Sequence, residues 1–582
     1  MAKVVPLQSI GALSGVDARL AALDKLEEMV GEVVAEKKRH RANIALKRAI
    51  RIWRRGDHAG AAKWALRATD EDENSSKAFH VLAMALERMG HLHKALITYE
   101  RAFQLDPHDP ELLINLGLTA WNLKLTEGAE TMFRLYIAAM PDSPLGYNNL
   151  GSVQCDMGDP ATAVETLRAA LYRMPGEAIL WNSLATVLAE EGRADESLVF
   201  YEEAARLQPS FARAYHNLGY AYQHLGRLEA ALSAYDTALE HAVDPTERRE
   251  TSHSRSICLI GAGHLEEGFR AYEIRNDQRF RAYLHHMIEA PQWKGEDLNG
   301  RKILIVGEQG LGDEFMFANA LPDIQKAVGE EGKLQIAVDP RLVALFQRSF
   351  PEAEVGTYDD RTLVDKDGNK ALRLIPFASN GNEPDMWAPM GSALPVYRNA
   401  LSDFPRKPFL IPDPARVAEF KAQLATLPGK KVGVCWRSMM LEAKRAKYFS
   451  PIDGWAPLLK TEGVSFINLQ YGDCAEEITR ARDSHGVTIH QIEGLDLRND
   501  IDGTAALCAA LDLVLSAPTA AAATAASVGA KVWFLAAGRT WPQLGTDEYP
   551  WYADTRVLTP KGFADWPALM SEAGEELRSF AR

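Results

Sequence analysis

Apolar positions between about residues 17 and 275 return at helical spacing, and a longer beat of 34 residues runs above that short period. Pro107, Pro141, Pro175 and Pro209 mark it, and so do Ala61, Ala95, Ala129 and Ala163, with Ser197 and Ala231 continuing the series. Gly56, Gly90, Gly158, Gly192 and Gly226 keep the same interval, with Lys124 as the single substitution. An all-helical pattern with such a period predicts stacked helix pairs, each exposing an apolar face that its neighbour covers. Within one unit the order is large residue, Leu-Gly, turn, Ala, aromatic, Ala, as in Tyr215, Leu218-Gly219, Gly226, Ala231, Tyr235 and Ala238. Small residues let the two helices approach, the aromatic fills the gap between units, and proline ends the second helix. Residues 1–41 read as an N-terminal helical segment and 42–275 as the repeats, with a last, looser unit from about 246.

The periodicity changes after a connector, residues 276–300, that carries Pro291, Trp293 and Gly295. Short apolar runs then alternate with helical patterns, which predicts two α/β halves. The first, 301–406, has strands expected near 302–307, 333–338 and 371–375. The second, 430–582, has them near 431–436, 464–469, 487–490, 511–516 and 531–535. A terminal helix over 565–582 is expected to cross back onto the first half.

Composition narrows the function. With 47% hydrophobic and 25% charged residues this is an ordinary globular chain, and a net charge of -14 argues against a general nucleic-acid binder. No secretory pattern opens the sequence and no apolar run is long enough for a bilayer, so the expectation is a cytoplasmic protein without membrane insertion. Cys155, Cys258, Cys435, Cys474 and Cys508 lack metal-type spacing and read as reduced thiols.

Candidate chemistry begins at residues 302–313. The apolar run Ile303-Leu304-Ile305-Val306 enters a turn with Gly307, Gly310 and Gly312, and Asp313 opens a helix. Strand, glycine turn and helix start together make a cleft at the carboxyl edge of a parallel sheet. The glycines do not follow the dinucleotide order. Asp313 is a candidate base with the alternative role of a helix cap. In the second half, Trp436-Arg437-Ser438 ends a strand and leads to Lys444-Arg445-Ala446-Lys447, cations suited to a phosphate or an acidic sugar unless they form a solvated loop. Gln470-Tyr471 ends another strand, and Ser516-Ala517-Pro518-Thr519 precedes an alanine-rich helix whose first amides favour a phosphate. Asn499-Asp500-Ile501-Asp502 reads as a loop before a helix from 503, with Asp502 near its N-cap, so no metal is predicted. Asn115, Asn149 and Asn217 each precede Leu-Gly, with Ser183 in the fourth place. Such a ladder of amides can grip an extended peptide backbone, or can bond to the neighbouring helix and set repeat curvature.

The helix pairs resemble the tetratricopeptide repeat, over five or six units. The segment from Trp293 through Gly307-Glu-Gln-Gly-Leu-Gly-Asp313 resembles the entry to the catalytic region of bacterial repeat proteins related to heptosyltransferases, a resemblance that covers most of 291–560. It implies a GT-B fold, two doubly wound halves facing across a cleft, with Asp313 as catalytic base. Gly310, Gly312, Arg437, Ser438, Lys447, Gln470, Tyr471, Ser516 and Thr519 are then donor-binding candidates, and Asn115, Asn149 and Asn217 acceptor-binding ones. Pro518 and Ala523 depart from that family, which has an acid and a histidine there, so a different nucleotide or an inactive domain follows. The layout is similar to protein O-linked N-acetylglucosamine transferases, and Cys-Trp-Arg-Ser with Ser-Ala-Pro-Thr looks closer to repeat-containing flagellin glycosyltransferases. That resemblance implies a metal-independent transferase using a CMP-activated nonulosonic acid, such as pseudaminic acid, on Ser or Thr of flagellin. The competing class is a repeat scaffold or secretion chaperone with an inactive GT-B domain.

Overall fold

The computed structural model describes residues 16–280, 283–365, 368–439 and 443–582. The chain divides into two compact units, one of residues up to 157 with 364–368, the other of 158–363 with 369–582. Helices Val16–Trp53, His58–Glu71, Ser76–Arg88, Leu92–Leu105, Pro110–Asn122, Thr126–Ala139 and Pro144–Asp156 build the first. The second opens with Pro160–Arg173, Ala178–Glu190, Ala194–Leu207, Ala212–His224, Leu228–His241, Pro245–Ala262 and Leu265–Tyr272. The 34-residue beat has a backbone cause. Gly56, Gly90, Gly158, Gly192 and Gly226 all adopt positive φ between successive helices, and Lys124 takes φ 64° at the same place in the cycle. Asp57, Asp109, Asp159 and Asp244 accept from backbone amides at helix starts. The Leu-Gly step has a steric cause. A Cβ on Gly117 would stand 2.6 Å from the Phe133 ring, and one on Gly219 would stand 2.8 Å from that of Tyr235.

Among the described residues, thirteen strands follow the repeats: β1 His285–His286, β2 Lys302–Val306, β3 Lys333–Val338, β4 Glu354–Thr357, β5 Asp359–Asp365, β6 Gly368–Leu374, β7 Met386–Pro389, β8 Lys430–Cys435, β9 Val464–Asn468, β10 Ile489–His490, β11 Leu513–Ser516, β12 Val532–Leu535 and β13 Thr555–Leu558. Ten of them form a four-stranded sheet of order β4-β3-β2-β7 and a six-stranded sheet of order β10-β9-β8-β11-β12-β13, both parallel throughout. Strands buried on both faces explain the unbroken apolar runs, such as Leu513-Val514-Leu515. The six-stranded order is the doubly wound one, and its direction reverses between β8 and β11. The smaller sheet reverses between β2 and β7. Crevices at such reversals lie outside the strands' carboxyl ends.

Three expectations need correction. The strand expected at 371–375 belongs to β6 in a separate sheet of order β1-β6-β5. The fourth strand of the first sheet is instead β7, whose Met-Trp-Ala-Pro sequence has no β-branched residue and ends in proline, which reads against a strand. The terminal helix Trp566–Ala581 does not cross back. Leu569, Met570, Ala573 and Leu577 pack in the second half's own core with Trp455 and Leu458, because the face they form is apolar and a Cβ on Gly574 would stand 2.9 Å from the Pro457 carbonyl. Finally, the helix at 501 starts two residues earlier than expected. Asp500 caps Ile501–Ala510 by accepting from Gly503 N, and also pairs with Arg416. Asp502 pairs with Arg348 at 2.8 Å.

Candidate functional site: the two sheet-reversal turns

β2 ends in a turn that the last repeat holds in place. Arg275, at the end of the repeats, donates through Nε to Glu308 Oε2 at 2.9 Å and through Nη2 to Oε1 at 2.8 Å. Gly391 N, beyond β7, donates to the same carboxylate at 2.6 Å. Burial opposes ionisation of Glu308, but Arg275 and these hydrogen bonds override it and hold its pKa below the usual range. The neighbouring Gln309 sits at φ 61° and donates to Tyr272 OH at 2.7 Å. A non-glycine residue in that conformation costs on the order of 1 kcal/mol or more, which the surrounding contacts must offset.

The short helix Leu311–Phe317 starts from this turn. Asp313 accepts from Gly310 N at 3.3 Å, a loose capping contact. It is half-buried, and burial first, then the charge of Glu308, pushes its pKa up to about 6, against the pull of the Gly310 amide. A Cβ on Gly312 would meet open space. Glu314 faces the other way and is fully buried. Its Oε1 accepts from Tyr358 OH at 2.5 Å and its Oε2 from Asp339 N at 3.1 Å. Burial pushes its pKa up to about 7. Gly307 is required by this carboxyl, since a Cβ there would stand 2.5 Å from Glu314 Cδ.

In the second half, Cys435, Ser516 and Thr519 converge where β8 and β11 end. Thr519 Oγ1 lies 3.5 Å from Cys435 Sγ and 3.2 Å from Ser516 Oγ, and its side chain does not cap the helix Ala520–Ser527 that it precedes. That helix packs against Leu311–Phe317, so the helices leaving the two reversal turns meet. Between the halves lies a cavity of about 350 Å³. Ser438 and Tyr471 line it with Leu311, Arg341, Arg498 and Thr504.

Other candidates have partners within the protein. Arg437 Nε reaches Glu477 Oε1 at 2.9 Å and Oε2 at 3.0 Å, while Nη2 donates to Asp473 O at 2.9 Å. Gln470 is buried, accepting from the Trp436 and Arg437 amides at 3.0 Å each and donating to Arg437 O at 2.9 Å. Lys447 Nζ donates to Ala189 O at 3.0 Å, so the basic loop is docked on the repeats. The Lys444 side chain lies outside the described residues. The asparagines have protein partners as well. Asn115 Nδ2 lies 3.0 Å from His80 Nε2, Asn217 Nδ2 donates to Asn182 Oδ1 at 2.9 Å, and buried Asn149 accepts from Asn148 at 3.2 Å while its own Nδ2 has no partner among the described residues.

Sequence reasoning missed Glu308, Glu314, Arg275, Arg341 and Arg498. One signal was available: Glu314 stands before the apolar run Phe315-Met316-Phe317, where a solvated helix face would not continue. Among the described residues no group of acids, histidines or cysteines is placed to hold a metal, and no helix is long and apolar enough to cross a membrane.

These features define a tetratricopeptide-repeat protein with a parallel α/β region built on two sheets. Models of the tetratricopeptide repeat match residues 76–119, 185–226 and 212–244. The chain belongs to the family of Protein FlbA of Caulobacter vibrioides, with 41% identity over 538 residues that span 92% of this chain and 90% of that protein. Protein O-mannosyl-transferase TMTC3 of Mus musculus is 25% identical over 170 residues, 29% of this chain and 16% of that one. A thermophilic TPR protein of Thermus thermophilus is 26% identical, with a TM-score of 0.27 over 31% of this chain and 98% of that structure.

Proposed function

We propose that the protein is a metal-independent, GT-B-type protein O-glycosyltransferase. Its repeats engage an acceptor polypeptide, and the α/β region transfers a sugar from a nucleotide-activated donor to a Ser or Thr hydroxyl. The observation that carries this reading is the meeting of the two reversal-turn helices, with a half-buried carboxyl of raised pKa on one and a phosphate-favouring start on the other. Asp313, with a pKa of about 6, is deprotonated at neutral pH and still basic enough to take a hydroxyl proton as the sugar's anomeric carbon is attacked. The helix after Thr519 stabilises the departing phosphate. The resemblance to flagellin glycosyltransferases supports flagellin as acceptor and a CMP-linked nonulosonic acid as donor. A repeat scaffold with an inactive domain is favoured by one observation, the commitment of Arg437 to Glu477.

Asp313→Asn separates the two. Asparagine still accepts from the Gly310 amide, so the melting temperature should stay close to wild type. Transfer to flagellin, read by intact mass, should fall about 10²–10⁴-fold. The wild-type rate should rise with pH through about 6 and level above it. Near-normal modification by the variant would remove Asp313 as base, and the absence of transfer by wild type would favour the scaffold.

A further inference from the structure

A second cavity of about 350 Å³ opens at the carboxyl end of β12, and its wall is shared between the repeats and the second half. Gln223 and His224, from the end of the repeat helix Ala212–His224, form one side. Tyr448, Phe449, Trp541 and Phe563 supply aromatic rings, and Arg445 and Arg539 supply charge. In a chain of net charge -14, no Asp or Glu among the described residues lines it.

The shared wall is a fixed construction. His224 Nδ1 lies 2.8 Å from the Tyr220 carbonyl, which can only accept, so the ring proton is on Nδ1. Nε2 therefore accepts from Tyr448 OH at 2.7 Å, and the Tyr448 oxygen accepts in turn from Tyr220 OH at 3.0 Å. Burial lowers the His224 pKa to about 4, so the ring is neutral and this directionality holds at neutral pH. Gly538 allows the approach, because a Cβ there would stand 3.1 Å from the Phe563 ring and 3.3 Å from the His224 carbonyl. Two groups remain uncommitted. Arg445 is exposed and makes no side-chain hydrogen bond or ion pair among the described residues. Gln223 spends its Oε1 on Tyr235 OH at 3.0 Å, leaving its amide protons to donate.

We infer that this cavity seats the nucleoside phosphate of the donor, so that the repeat helix Ala212–His224 supplies part of the donor site. The base lies among the rings, the Gln223 amide donates to a ring carbonyl of a pyrimidine, and Arg445 meets the phosphate beside Pro518, which lines the same cavity directly before Thr519 and its helix. The Lys447 bond to Ala189 and the Tyr448 chain hold the loop that carries Arg445. This inference rests on the transferase reading and names where its nucleotide sits.

The test is calorimetric titration of CMP into the full chain, with AMP and inorganic phosphate alongside. Arg445→Gln should weaken CMP binding about ten- to a hundred-fold, as loss of a charge-assisted contact does. Gln223→Leu should weaken CMP several-fold and AMP less. Melting curves of both variants confirm that they fold. Phosphate binding as tightly as CMP would remove the role of the rings. CMP binding weakened by Arg498→Gln and untouched by Arg445→Gln would place the nucleotide in the other cavity, overturning the inference while the transferase reading stands. Failure of wild type to bind any of the three overturns the inference, and only the transfer assay with flagellin then decides the broader reading.

Discussion

Asp313 and Glu314 are consecutive acids that face different surroundings. Asp313 keeps some contact with solvent, whereas Glu314 is sealed beneath Gly307 and bonded to Tyr358. The consequence for stability has a definite sign. The folded-state pKa of Glu314 is about 7, above its ordinary 4.5, so the native state binds the extra proton between those values. Stability contributed by the protonated form is fully present below about 4.5 and is lost as pH rises through about 7. Asp313 adds a smaller effect of the same sign up to about 6. Glu314→Gln keeps the shape and removes the ionisation, so its melting temperature should fall less between pH 5 and pH 8 than that of wild type. The cost it avoids is up to about 3 kcal/mol, at roughly 1.4 kcal/mol per pKa unit. Equal slopes for the two proteins would show that Glu314 stays ionised or is relieved by water. Of these two residues, only Asp313 stood out in the sequence, as a carboxylate after a glycine turn. The role of Glu314 depends on Tyr358 and Asp339, which reach it from beyond β4 and β3 by pairing that no local pattern contains.

At the scale of the element, the repeat helices were the most readable part of the chain. Their boundaries follow from left-handed glycines, aspartate caps and the alternation of small and aromatic residues, all of which act within a unit. The Leu-Gly step gives a direct check. Gly219→Ala would force a methyl group against Tyr235, whose hydroxyl is tied to Gln223. Overpacking of this kind costs about 1–3 kcal/mol, so the variant should melt lower in spite of the better helix propensity of alanine. A higher melting temperature would mean that the ring has room to turn. Strands β2, β3, β8, β9, β11 and β12 were readable as apolar runs. The strands β4, β7 and β13 were not: β4 and β13 mix polar residues into four positions and β7 ends in proline, whereas β11 and β12, of the same length, are almost wholly apolar. Arg437 illustrates a different limit: a cation at a strand end looks the same in sequence whether it meets a ligand or, as here, Glu477.

At the scale of the whole molecule, the later repeats and the α/β region belong together. The repeats after 157 share a compact unit with the α/β region, joined by Arg275–Glu308, His224–Tyr448 and the packing of Phe269 against Trp551. A chain ending at 275 would leave Arg275, Phe269 and Tyr272 without these partners. Its helices should form, but amides in Pro245–Ala262 and Leu265–Tyr272 should exchange with solvent at least about a hundred-fold faster than in the full chain. Equal protection would show that the repeats fold independently of the region they contact.

The native thiols have a practical consequence. Four of the five cysteines are buried, including Cys435 at the end of β8, and burial pushes Cys435 up to about 11 and Cys258 and Cys508 up to about 12. At neutral pH these sulfurs carry almost no thiolate, the form that alkylating reagents and peroxide attack. A cysteine introduced on an exposed helix face would therefore react well before them, and with half-buried Cys155 replaced, probe labels could be placed along the repeats or at the two cavities without stripping the native sulfurs from the core.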